Sequence, residues 1–126
     1  MKTILICDDD LFIMQAAKEV LEKKGYSVVT FESCDFLMEK VEKLQPDMIL
    51  MDLLIPPMGG DNSIKLLKHD PMTRHIPILV FSGDPEIEKI FSETDADGYI
   101  RKPFEISQFE RYIDRIFSAS SEGPVV

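Results

Sequence analysis

The chain has 126 residues, 14 Lys and Arg against 23 Asp and Glu, a formal charge of −9 and a pI near 4.6. That length supports one domain, and a hydrophobic content of 44% argues against disorder. The acidic balance counts against nucleic acid as a direct partner, because phosphate backbones are bound by basic faces. The two cysteines, Cys7 and Cys34, make neither a disulfide framework nor a zinc site and fit a reduced, cytoplasmic setting.

Thr3–Cys7 is a short apolar run stopped by Asp8, Asp9 and Asp10. It has the pattern of a buried strand ending in acid and is too short for a signal-peptide core or a membrane span. From Leu11 to Lys24, the residues Ile13, Ala17, Val20 and Leu21 fall on one helical face, with Gly25 as the stop. Tyr26–Phe31 is β-branched and aromatic and predicts a strand. Cys34, Leu37, Val41 and Leu44 predict a second helix closed by Pro46. Asp47–Asp52 contains Met-Ile-Leu-Met, a second fully apolar strand that ends in acid.

Leu53–Gly60 is a loop punctuated by Pro56, Pro57, Gly59 and Gly60, the two glycines serving the turn. Ile64 and Leu67 predict a short third helix before Pro71, and His69 and His75 beside that turn are surface residues. Ile76–Phe81 predicts a strand. Asp84-Pro85-Glu86 has the order of an N-cap, a proline at the first helical position and an acid in the first turn. Ile87, Ile90 and Phe91 give the helix that follows one apolar face. Gly98–Arg101 predicts a fifth strand. Ile106, Phe109, Ile113, Ile116 and Phe117 predict a fifth helix, followed by a frayed tail from Ser118.

Alternating strands and helices imply an α/β fold, with a parallel sheet covered on both faces. In such folds ligands bind beyond the carboxyl ends of the strands. Those ends carry Asp8-Asp9-Asp10, Asp52, Ser82-Gly83 and Lys102-Pro103. Clustered carboxylates repel unless a cation sits among them, and oxygen-only ligands favour Mg²⁺. A hydroxyl and an ammonium beside such a site suit a phosphoryl group. The residues therefore describe a Mg²⁺-dependent phosphoryl site with an aspartate as nucleophile.

Five motifs make the pattern specific: Ile-Leu-Ile-Cys-Asp8-Asp9-Asp10, Pro46-Asp47-Met-Ile-Leu-Met-Asp52, Pro56-Pro57-Met58-Gly59-Gly60, Phe81-Ser82-Gly83 and Gly98-Tyr99-Ile-Arg-Lys102-Pro103-Phe104. With them the chain resembles the receiver domain of bacterial two-component response regulators, over about residues 3 to 117. The resemblance implies a flavodoxin-like doubly wound sandwich, with five parallel strands in the order 2-1-3-4-5 and five helices. It implies a domain over 1–119 and a flexible tail over 120–126.

The resemblance further implies that Asp52 accepts a phosphoryl group from a sensor histidine kinase or a histidine phosphotransfer protein. Asp8, Asp9, Asp52 and the backbone carbonyl of Leu54 would hold Mg²⁺, and Lys102 would pair with the phosphoryl oxygens. Ser82 and Tyr99 would switch a protein-interaction surface, and Pro103 would follow a cis peptide bond. Such a chain signals rather than catalyses, beyond self-phosphorylation and slow autodephosphorylation. Too little follows Phe117 for an output domain, so output is expected through an unknown downstream protein. A homodimer is compatible with this, and neither nucleic acid nor membrane is expected as a partner.

Blander roles stand beside these. Asp10 caps a helix or faces solvent, Ser82 satisfies a loop amide, and Tyr99 is an edge-of-core ring. The alternatives in function are a phosphorelay carrier, a receiver that never phosphorylates, and a phosphohydrolase of the haloacid-dehalogenase type using Asp8 as nucleophile. The chain also departs from the usual receiver pattern. Pro57-Met58-Gly59 replaces Gly-Met-acid, and the span from Ser82 to Lys102 is short, which predicts a reduced fourth helix. Leu54 and Asp84 stand where receivers tune hydrolysis of the acyl phosphate.

Overall fold

The computed structural model describes residues 1–54 and 59–122, so the Pro56-Pro57-Met58 part of the expected loop lies outside the described residues. The elements run β1 (Thr3–Cys7), α1 (Leu11–Lys23), β2 (Ser27–Phe31), α2 (Leu37–Leu44) and β3 (Met48–Asp52). They continue with α3 (Gly60–His69), β4 (Ile78–Ser82), α4 (Ile87–Ser92), β5 (Gly98–Arg101) and α5 (Ile106–Glu122). The strands form one sheet in the order β2-β1-β3-β4-β5, and every neighbouring pair is parallel.

The central strands are apolar at nearly every position because both faces are covered. Side chains alternate between faces along a strand, so each run divides into two cores. Leu5, Cys7, Ile49, Met51 and Val80 pack with Leu37 and Val41 of α2 and Ile64 and Leu67 of α3. Ile4, Ile6, Met48, Leu50, Leu79 and Phe81 pack with Met14, Ala17 and Leu21 of α1 and Phe109, Ile113 and Phe117 of α5. Both cysteines are buried. Among the described residues, no helix is long and apolar enough to cross a membrane.

Local chemistry accounts for the boundaries. Asp10 caps α1, its carboxylate accepting from the amides of Phe12 and Ile13. At the other end the Tyr26 amide donates to Leu21 and the Gly25 amide to Glu22. This Schellman closure needs the left-handed φ of +94° that Gly25 supplies. Within α1, Met14 is buried with Ala17 and Leu21, while the expected core residues Ile13 and Val20 are only half-buried. Helix α2 begins at Leu37, behind a left-handed Phe36, and ends at Leu44, where a left-handed Gln45 caps it just before Pro46.

Two expectations are revised. Asp84 does not cap α4. Its carboxylate accepts from the Glu86 amide within a preceding turn, and the helix starts at Ile87 without a side-chain cap. At six residues, α4 is indeed short. Helix α5 continues through Glu122, so the stretch after Phe117 begins as helix rather than as a frayed tail.

Candidate functional site

Strand register assembles the site. Cys7 lies opposite Met51, so Asp8 follows β1 level with Asp52 at the end of β3. Asp52 lies opposite Phe81, which puts Ser82 one step further along β4. Phe81 lies opposite Ile100, so Lys102 emerges just past the end of β5. Residues distant in sequence thereby meet at one sheet edge, as a parallel sheet requires.

Asp8 is fully buried and Asp52 is 6% exposed, whereas Asp9 is exposed at the rim. Carboxylate oxygens of the three lie within 4.8 Å of one another. Lys102 reaches in with its ammonium 2.8 Å from Asp8 Oδ2 and 3.6 Å from Asp52 Oδ2. Asp8 Oδ1 accepts from the Asp10 amide at 2.9 Å, and Asp52 Oδ1 accepts from the Leu54 amide at 3.3 Å.

One ammonium does not balance three carboxylates. Burial pushes the Asp52 carboxyl from an ordinary 3.8 up to about 6. Lys102 and the Leu54 amide oppose the rise, and Asp8 adds to it. The donor set is all oxygen with surplus negative charge, which is the chemistry of a hard divalent cation site.

The remaining expected residues occupy distinct places. Ser82 is buried at the same edge, and its Oγ accepts from the Asp84 amide at 3.1 Å, so it does satisfy a loop amide. Tyr99 lies on β5 opposite Val80. It is half-buried, with its ring 4.9 Å from that of Phe91. Burial and the neighbouring Glu88 carboxylate raise its phenol above the ordinary range. Leu54 exposes its side chain, leaving its backbone to serve the site. The Lys102–Pro103 peptide is cis. His69 and His75 are exposed.

Two contributors are not visible from the motifs. A Cβ on Gly60 would overlap the backbone carbonyl of Asp52, and the Gly60 amide donates to the Leu53 carbonyl at 2.8 Å. Gly60 is therefore the close-approach residue that lets α3 start against the end of β3. Phe81 presents its ring to the Lys102 ammonium, 4.6 Å from the centroid. A strand residue read as core gives no sign of that contact, because the partner lies 21 positions away in sequence.

The model of the response regulator receiver domain matches residues 4–114. The chain belongs to the receiver-domain family. Within that family it is similar to the phosphate regulon transcriptional regulatory protein PhoB of Klebsiella pneumoniae, at 37% identity over 82% of this chain and 46% of PhoB. It is also similar to the polar-differentiation response regulator DivK of Brucella ovis, at 29% identity over 86% of this chain and 89% of DivK. The receiver domain thus spans about half the length of PhoB and most of DivK. Among solved structures it superposes on the chemotaxis response regulator CheY4 of Vibrio cholerae with a TM-score of 0.84. The identity there is 26%, covering 92% of this chain and 98% of CheY4. Acceptance of a phosphoryl group on an aspartate is general to the family.

Proposed function

We propose that Asp52 accepts a phosphoryl group from the phosphohistidine of a sensor histidine kinase or histidine phosphotransfer protein, and that the acyl phosphate switches a protein-binding surface. The observation that carries this reading is the buried Asp52 carboxylate grouped with Asp8, Asp9 and Lys102. Above pH 6 Asp52 is mostly ionised and is the nucleophile. One of its oxygens attacks phosphorus in line, and the donor imidazole departs. The Lys102 ammonium offsets charge on the transferring group, and the Leu54 amide orients the attacking carboxylate. Mg²⁺ fits this donor set, with Asp8, Asp9, Asp52 and the Leu54 carbonyl as its ligands, and when bound it neutralises phosphoryl charge.

Ser82 would then exchange its bond to the Asp84 amide for one to the phosphoryl group. That draws the β4–α4 turn toward the site. Tyr99 would follow inward, remodelling the groove of about 450 Å³ between α4, β5 and α5, which Glu88, Tyr99, Arg101 and Tyr112 help to line. The reading carries a cytoplasmic setting, a domain over 1–119 and a downstream protein bound at that groove, with relay to a second histidine as the variant role. Asp84 would set the lifetime of the phosphoryl group, and Asp84→Ala should change the rate of its loss. An unchanged rate removes Asp84 from that role.

The decisive experiment treats the protein with acetyl phosphate and Mg²⁺ and follows intact mass. One phosphoryl mass should appear on the parent and be absent from Asp52→Asn. Phosphorus on Asp8 would instead support the hydrolase mechanism. The Asp8 carboxylate, with both oxygens already engaged by Lys102 and the Asp10 amide, is poorly placed for that attack.

A further inference from the structure

Lys102 must do two things in the reaction proposed above. It must stay at the site while the carboxylates around it change partners, and it must have N–H groups to offer to phosphoryl oxygens. Lysine has three donors and no acceptor. One donor goes to Asp8 at 2.8 Å, while Asp52 at 3.6 Å is beyond a good hydrogen bond. Nothing in that pair of contacts alone stops the ammonium from settling wholly onto Asp8.

The third neighbour is the ring of Phe81, 4.6 Å from Nζ to the centroid. The ring is 2% exposed and the Lys102 side chain 14% exposed, so the contact is largely shielded from water. An aromatic face attracts a cation through its quadrupole, and more strongly where water is excluded. Unlike a carboxylate, it attracts the charge without demanding a particular N–H direction. The ring's own orientation is held by its neighbours. Phe104 meets it edge-on, with centroids 6.5 Å apart and planes at 75°. Phe104 in turn stacks on Phe109 of α5 at 4.9 Å.

We propose that Phe81 is a positioning residue for phosphoryl transfer: its ring face holds the Lys102 ammonium between Asp8 and Asp52 and leaves N–H donors available to the incoming phosphoryl oxygens. The inference rests on Asp52 being the phosphoacceptor. Fluorination of the ring weakens its quadrupole at nearly constant shape, so the role is separable from packing.

The test uses the full chain with Phe81 replaced by 4-fluoro-, 3,5-difluoro- and 3,4,5-trifluorophenylalanine, which weaken the quadrupole stepwise at nearly constant shape, together with Phe81→Leu. The rate of phosphorylation by acetyl phosphate should fall with each added fluorine, to about fivefold below the parent for the trifluoro ring. The thermal midpoint should fall by no more than a few degrees across the fluorinated series, so the fold is retained throughout. Without phosphodonor or metal, the Lys102 ε-methylene protons should be shifted upfield by the ring current in the parent and return to ordinary positions in Phe81→Leu. A rate that is flat across the series, in a protein where Lys102→Ala is slow, overturns the positioning role. If the parent takes up no phosphoryl group, or Asp52→Asn takes it up equally, the phosphoacceptor reading fails instead. The ring-current shift then decides separately whether Phe81 holds Lys102, and its absence in the parent overturns the contact itself.

Discussion

Replacing Asp52 by Asn should stabilise the protein at neutral pH, and the gain should vanish in acid. Folding takes the Asp52 carboxyl out of water and raises it from an ordinary 3.8 to about 6. The folded state therefore binds more protons than the unfolded chain between those values. Unfolding free energy then falls as pH rises through that window. Above pH 6 the ionised carboxylate costs the fold about 3 kcal/mol, taking about 1.4 kcal/mol per pH unit. Asn keeps the shape and can still accept from the Leu54 amide, but carries no charge. Urea unfolding of Asp52→Asn and the parent should differ by about 2–3 kcal/mol at pH 7.5 and by little at pH 4, with equal m-values. Mg²⁺ should stabilise the parent at pH 7.5 and do much less for the variant, since a cation relieves the same repulsion. A variant that is less stable than the parent at pH 7.5, or equally stabilised at both pH values, refutes the reasoning.

Three further outcomes follow from contacts at the same edge. Lys102→Met leaves the fully buried Asp8 without its cation, and denaturation at pH 7 should show a loss of about 3 kcal/mol with phosphorylation slowed. Gly60→Ala forces a methyl group into the Asp52 backbone. It should cost about 1–3 kcal/mol and slow phosphorylation because Asp52 itself must shift. Asp10→Ala removes the cap of α1 and should lower stability by about 1 kcal/mol in thermal or urea melts, with phosphorylation by acetyl phosphate retained.

Much of the fold was legible because strand and helix periodicities are local properties. Ile4–Cys7, Met48–Met51 and Ile78–Phe81 are apolar without a break, which marks strands covered on both faces. Parallel pairing then carries their acidic ends to one edge. Asp10 and Gly25 announced the limits of α1 through their own backbone chemistry. The pattern at Asp84-Pro85-Glu86 misled, because a turn and a helix start use the same residues. The choice between them depends on the Asp84 carboxylate accepting from the Glu86 amide and on the Arg101 guanidinium reaching the Asp84 and Pro85 carbonyls from β5.

By itself, the order of residues determined which side chains stand at the strand ends, and hence that carboxylates, a hydroxyl and an ammonium are brought to a common rim. Only the tertiary structure decided how those groups are paired: Lys102 on Asp8 at 2.8 Å rather than on Asp52, Phe81 beneath the ammonium, and Gly60 against the Asp52 carbonyl. The reason is physical. Which elements a chain forms follows largely from neighbours three or four positions away. Burial, charge pairing and close approach at this site depend on residues 8 to 94 positions apart, whose separations are set by strand register and by helices packed on both faces.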